Sequence, residues 1–180
     1  PRVLFVGEDF FALALGAVAG LAHPPQLVAL YGEHDGFQPL ADWLGAAAAT
    51  PPADPPQMSD HVLQLYTSGT TGRPKGVVLD NTNYRSFLEM ASAVDGFAYD
   101  EGETVMIVMP LFHVAGTNVS FSGLAQGGRL VVVKDFTPAD AIRMIGAERV
   151  AHSFLAPAMI QMMLQDPSSA SGDYSHLRTI

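Results

Sequence analysis

The chain has 180 residues, 48% of them hydrophobic, and a formal net charge of −9. That length is most simply one domain with a sizeable core, and the acidic balance argues against nucleic acid or an anionic membrane as a partner. The absence of cysteine excludes disulfides, thiol catalysis and thiolate metal sites without choosing a compartment.

In chain order, Val3 to Val6 reads as a short buried strand, with Asp9 as the N-cap of the Ala-rich helix that follows. The apolar stretch Phe10 to Ala22 has 13 residues. It is too short to cross a bilayer and fits a buried helix. Glu8 and Asp9 precede it where a secretion signal would be positive. Leu27 to Tyr31 is a second strand, and Ala46 to Pro56 reads as an exposed Ala/Pro-rich connector. Val62 to Thr67 and Gly76 to Leu79 predict a strand–loop–strand. Tyr84 to Val94 predicts an amphipathic helix with Phe87, Leu88, Ala91 and Val94 on one face.

The second half alternates more clearly. Strands are predicted at Thr104 to Met109, Leu130 to Val133 and Val150 to Leu155. Helices are predicted at Phe112 to Leu124, Pro138 to Glu148 and Ala158 to Leu164. Thr137 caps the second of these helices and Pro138 takes its favoured first position. Met159, Met162 and Met163 have the helical spacing of core filling. This alternation predicts an α/β fold with a largely parallel sheet and helices on both faces.

The run Tyr66 to Gly76 carries the chemistry. Thr67, Ser68, Thr70 and Thr71 supply hydroxyl donors. Gly69 and Gly72 permit tight turning that uncovers backbone N–H groups. Arg73 and Lys75 add positive charge, Lys75 being one of only two lysines in the chain. No Asp or Glu lies between His61 and Leu79. A loop of this kind suits a polyphosphate. Its alternative reading is a polar hairpin turn, since the same residues favour turns locally. The spacing does not match a Walker A loop, because Lys75 follows Pro74 and precedes Gly76.

Tyr66 to Leu79, YTSGTTGRPKGVVL, resembles the phosphate-binding signature of the adenylate-forming acyl-CoA synthetases, the superfamily that includes luciferases and peptide-synthetase adenylation domains. The resemblance implies that Thr67, Ser68, Gly69, Thr70, Thr71, Gly72 and Lys75 hold the ATP phosphates, with Lys75 also catalytic. It departs at Asp80 and Asn81, where the family usually has Thr and His; Asn83 fits.

Pro110 to Gly116 forms a strand-to-helix corner, where α/β proteins place ligands. Taken alone, His113 there is a structural residue. The run PLFHVAG resembles the acyl-pocket segment of acyl- and aryl-CoA ligases. That likeness implies that His113 lies against the substrate carboxylate, with Val114 and Gly116 beside the acid. Peptide-synthetase domains usually carry Phe-Asp where Phe112-His113 stands. The small residues Ala115, Gly116, Thr117 and Ser120 leave room on one helix face for an acyl chain or ring. Lys134, in a loose match to a Lys-Phe-Asp segment, is implied to meet a CoA phosphate. The other histidines show no close metal spacing, and Asp140 and Glu148 read as a solvated helix face.

The resemblance runs along the whole chain. It implies an internal portion of the large N-terminal AMP-binding domain of a cytoplasmic fatty- or aryl-acid–CoA ligase that uses ATP, Mg2+ and CoA. The magnesium-binding acid, the ribose-binding Asp and the C-terminal lysine of that family lie outside this sequence, so the 180 residues are expected to be inactive alone. Two alternatives stay open at this stage: a non-catalytic nucleotide-binding protein on the same fold, and a peptide-synthetase adenylation domain.

Overall fold

The computed structural model describes residues 1–69, 72–94 and 96–180. The chain divides into two compact units, Pro1–Pro55 and Pro56–Ile180; the run 46–60 has no helix or strand and is exposed.

The first unit pairs β1 (Val3–Val6), β2 (Gln26–Ala29) and the two-residue β3 (Gln38–Pro39) in parallel, in that order. Helices α1 (Phe11–Val18) and α2 (Leu40–Gly45) complete it. Its core is Val6, Phe11, Ala14, Ala29 and Phe37, with the rings of Phe11 and Phe37 4.5 Å apart. Two expectations fail here. Asp9 does not cap α1, because Glu8–Phe10 first makes a 3-10 turn closed by Phe10 N–H to Gly7 O, and Phe10 becomes the cap residue without a side-chain bond. Nor is this helix buried: Phe11 and Ala14 are, while Leu13 stays 70% exposed. A three-stranded sheet covers only one side of an eight-residue helix.

The second unit opens with an antiparallel pair, β4 (His61–Thr67) and β5 (Lys75–Asp80), in which Thr67 faces Lys75 across the base of the glycine loop. Helix α3 (Asn81–Ser92) follows at once. It starts three residues before the sequence reading placed it because Asp80 and Asn83 form a reciprocal capping box, Asn83 N–H to Asp80 Oδ1 at 2.9 Å and Asp80 N–H to Asn83 Oδ1 at 3.0 Å.

The second sheet of this unit is parallel, with β6 (Thr104–Ile107) central between β7 (Arg129–Val132) and β8 (Val150–Ser153). All four β6 residues are buried, as a strand covered on both faces requires. Val105 and Ile107 pack with Val119 of α4 (Val114–Ala125) on one side. Met106, on the other, packs with Ala141, Ile142 and Ile145 of α5 (Pro138–Ala147) and Met163 of α6 (Pro157–Gln165). Thr137 caps α5, its Oγ1 accepting from Asp140 N–H at 3.2 Å. Met162 does not join the core: it is 50% exposed, while Met163 is buried and Met159 packs against the core. Asp140 and Glu148 are partly exposed but engaged, with Arg143 and Arg129 respectively.

The fold is thus α/β, with helices on both faces of a parallel sheet, but the strands are distributed over two parallel sheets and one antiparallel pair. Among the described residues no helix is long and apolar enough to cross a membrane.

Candidate active site

The glycine loop sits at the tip of the β4–β5 pair. Gly69 and Gly72 both have positive φ, +65° and +78°. A Cβ on Gly69 would collide with the Arg73 carbonyl and touch the Lys75 stem at 3.7 Å. Glycine at 69 is therefore required twice, by conformation and by space. The turn is closed by Gly72 N–H to Gly69 O at 3.5 Å. Thr67, Ser68, Arg73 and Lys75 are exposed. Among the described residues neither Arg73 nor Lys75 makes an ion pair. Thr70 and Thr71, expected to contact phosphates, lie outside the described residues. Its described residues combine the Thr67 and Ser68 hydroxyls, two glycines at positive φ and two cations without an ion pair among the described residues, which is a donor set for a polyanion.

The departure from the family signature at Asp80 and Asn81 has a local structural explanation. Asp80 caps α3. Asn81 donates from Nδ2 to Gln57 O at 2.8 Å, and Thr82 Oγ1 donates to Met58 O at 3.2 Å. These residues fasten the start of α3 to the 57–60 turn, and the loop is untouched.

His113 stands where the chain leaves β6 and enters α4, and it is the N-cap of that helix. Its Nδ1 accepts Ala115 N–H at 3.2 Å, and its own N–H reaches Pro110 O at 3.0 Å. An imidazole accepting at Nδ1 carries its proton on Nε2, so Nε2–H remains as the ring's donor. Thr117 Oγ1 braces the corner by donating to Leu111 O at 2.9 Å and His113 O at 3.0 Å. Phe112 is 82% exposed.

The small residues of α4 have local packing and hydrogen-bonding partners at the corner. Gly116 is buried, and a Cβ there would strike the Met109 and Pro110 carbonyls. Thr117 is tied to the corner, and Ser120 Oγ donates back to Gly116 O at 2.8 Å. Smallness at Gly116 lets α4 close on the corner. Leu79 of β5, Asn83, Tyr84 and Phe87 of α3, and Val114 and Asn118 of α4 line an almost wholly apolar cavity of about 210 Å³. Sequence reading put Phe87 on an apolar face and missed Tyr84 and Asn118. The four-residue step from Val114 to Asn118, one face of a helix, was the available signal.

Lys134 is exposed just beyond β7. Ile107 and Val132 are register partners in parallel strands, so Lys134 and the His113 corner leave the sheet at the same edge. The glycine loop belongs to a different sheet; α3, packed against both β5 and α4, connects the two.

Magnesium in such sites takes one or two carboxylates besides substrate phosphates. The loop has no carboxylate. Among the described residues no group of three or more His, Asp or Glu side chains could hold a metal ion. These residues do not make a magnesium site.

A family model described as AMP-binding enzyme matches residues 2–180. The chain belongs to the AMP-binding enzyme family. Its similarity to the fatty acid–[acyl-carrier-protein] ligase ScoC of Streptomyces coeruleorubidus is 31% identity, covering 98% of this chain and 33% of that protein. With a feruloyl-CoA synthase of an Amycolatopsis species it is 33% identical over 98% of this chain and 36% of the relative. Among solved structures, the inhibitor-bound N-terminal domain of FACL13 from Mycobacterium tuberculosis superposes with a TM-score of 0.79 at 28% identity, covering 98% of this chain and 43% of that one. The chain therefore spans about a third of the length of those curated relatives.

Proposed function

We propose that the protein containing this chain activates a carboxylic acid with ATP and passes the acyl group to CoA. The chain would be an internal portion of its N-terminal AMP-binding domain, and ATP and CoA as substrates suit a cytoplasmic enzyme. The observation that supports this reading most is the exposure of Thr67, Ser68 and residues 72–75, with Gly69 and Gly72 at positive φ beside two cations that have no ion pair among the described residues. Named relatives that activate acids toward CoA or a carrier protein agree with it.

In the first step a carboxylate oxygen attacks the α-phosphorus of ATP. The bond from that phosphorus to the bridging oxygen breaks, and pyrophosphate leaves with the electron pair. The second step is attack of the CoA thiol on the acyl carbon, which expels AMP. Adenylation requires alignment and charge stabilisation more than covalent help from the protein. Thr67, Ser68, the Gly69 to Gly72 backbone and the hydroxyls of Thr70 and Thr71 would hold the β- and γ-phosphates, and Lys75 would offset charge on the departing pyrophosphate. His113 Nε2–H is available to a substrate carboxylate, Val114 lies beside the acid, and Lys134 is a candidate contact for a CoA phosphate. Mg2+ would be held by the phosphates and by side chains other than those described.

The test is acid-dependent AMP release by the full-length protein with ATP, Mg2+ and either CoA or an acyl carrier protein as acceptor, repeated with Lys75→Ala. Removing a donor to developing charge costs about 100- to 1,000-fold in rate, so the variant should slow adenylation by that order. Unchanged kinetics in the variant, or no AMP release with any acid, would end the proposal.

A further inference from the structure

Thr117 presents a buried hydroxyl near the start of α4, where only 8% of the residue is exposed. We propose that Thr117 is a positioning residue for His113, holding the corner so that the imidazole Nε2–H meets a substrate carboxylate; this rests on the acid-activating function proposed above.

Half of its bonding is ordinary. A threonine inside a helix commonly bonds the carbonyl four residues back, and His113 O, at 3.0 Å from Thr117 Oγ1, is that carbonyl. Leu111 O, at 2.9 Å, is not. It lies six residues back, outside α4 and before its N-cap. Among the described residues Leu111 O accepts no main-chain N–H. The single hydroxyl proton is therefore shared between carbonyls on either side of Phe112, a three-centre arrangement common at helix ends. The reach to Leu111 depends on the neighbouring glycine. The Pro110 carbonyl carbon lies 2.8 Å from where a Cβ on Gly116 would stand, so α4 approaches the corner as closely as a residue without a side chain allows.

The consequence falls on the imidazole. Its Nδ1 is held by Ala115 N–H at 3.2 Å, and the main chain at His113 closes on Pro110 O at 3.0 Å. Thr117 adds a tie from the same helix to the carbonyls of Leu111 and His113. Ring and backbone are then both referred to α4, and the direction of Nε2–H is set before an acid arrives. A donor fixed in advance needs no reorganisation when charge develops, and small misplacements of such a group are costly in rate.

The experiment measures AMP release by the full-length protein with ATP, Mg2+ and CoA, using benzoate, phenylacetate, octanoate and palmitate and continuing with the fastest. Thr117→Val keeps the side-chain shape and removes the hydroxyl; Thr117→Ala removes it without setting a methyl against the carbonyls and serves where valine fails to fold. Either should lower kcat/KM for the acid about 10- to 100-fold. KM for ATP should stay within about 2-fold, because the glycine loop belongs to a different sheet. Thr117→Ser should recover the rate. In the His113→Asn background, removing the hydroxyl should change the rate by less than about 2-fold, since the group it positions is already gone. An equal loss with and without His113, a parallel rise in KM for ATP, or full activity without the hydroxyl would overturn the positioning role while leaving acid activation standing. Absence of AMP release by the unaltered protein with every acid would overturn acid activation and this inference together.

Discussion

His113 has a capping bond and a proposed substrate contact, which substitution can separate. Its Nδ1 caps α4 through Ala115 N–H, and its Nε2–H is left for a substrate. Asparagine is among the best N-caps, and loss of a cap costs about 1 kcal/mol. His113→Ala should therefore lower the urea midpoint of the full-length protein and also slow AMP release. His113→Asn should restore the midpoint but not the rate. If His113→Asn recovers both, the histidine is only a cap. The cap was not legible in the sequence, because histidine is not a common capping residue and the bond depends on the backbone geometry after Pro110. The corner itself was legible, since Pro110 ends an apolar run and a helical pattern begins beyond it.

At the level of elements, α4 depends on one close approach. The nearest atoms to a Cβ on Gly116 are main-chain atoms of Met109 and Pro110, including the Pro110 carbonyl carbon at 2.8 Å. Backbone cannot rotate aside as a side chain does, and overpacking of this kind costs about 1–3 kcal/mol. Gly116→Ala should lower the thermal midpoint and weaken acid binding by shifting the corner that carries His113 and Val114. An alanine variant with unchanged melting would show that the corner is soft. Most elements were readable because their signals are local: the unbroken apolar runs of β6 and β7, Thr137 before Pro138, and the glycines between β4 and β5. What escaped depended on neighbours. The start of α1 is set by a preceding 3-10 turn, β3 has only two residues, and the cavity exists only once α3 and α4 are side by side.

Across the second unit, one buried polar network joins segments distant in sequence. His152 of β8 sends Nε2 to Glu103 Oε2 at 2.7 Å and Nδ1 to Thr179 Oγ1 at 2.7 Å. Glu103 also accepts Asp100 N–H at 2.8 Å and pairs with Arg178 at 2.7 Å. The His152 side chain is 4% exposed and that of Glu103 13%, so little water is present to replace a lost partner. Burial pushes the Glu103 carboxyl up, but the Asp100 N–H, His152 and Arg178 outweigh it and hold the group below the ordinary glutamate range. A carboxyl whose folded pKa is depressed contributes stability that is complete above its unfolded value, about 4.3. That contribution is lost as pH falls from there through the folded value. Urea unfolding followed between pH 7 and pH 3 should show the midpoint falling below roughly pH 4.3. Glu103→Gln should start from a lower midpoint at pH 7, because hydrogen bonds to a charged group contribute about 1.5–3 kcal/mol and the amide weakens them. It should also lose much of the acid-side slope, because the amide has no proton to gain. A variant with the same slope as the unaltered protein would assign the acid transition to other carboxylates and leave this network a purely geometric tie.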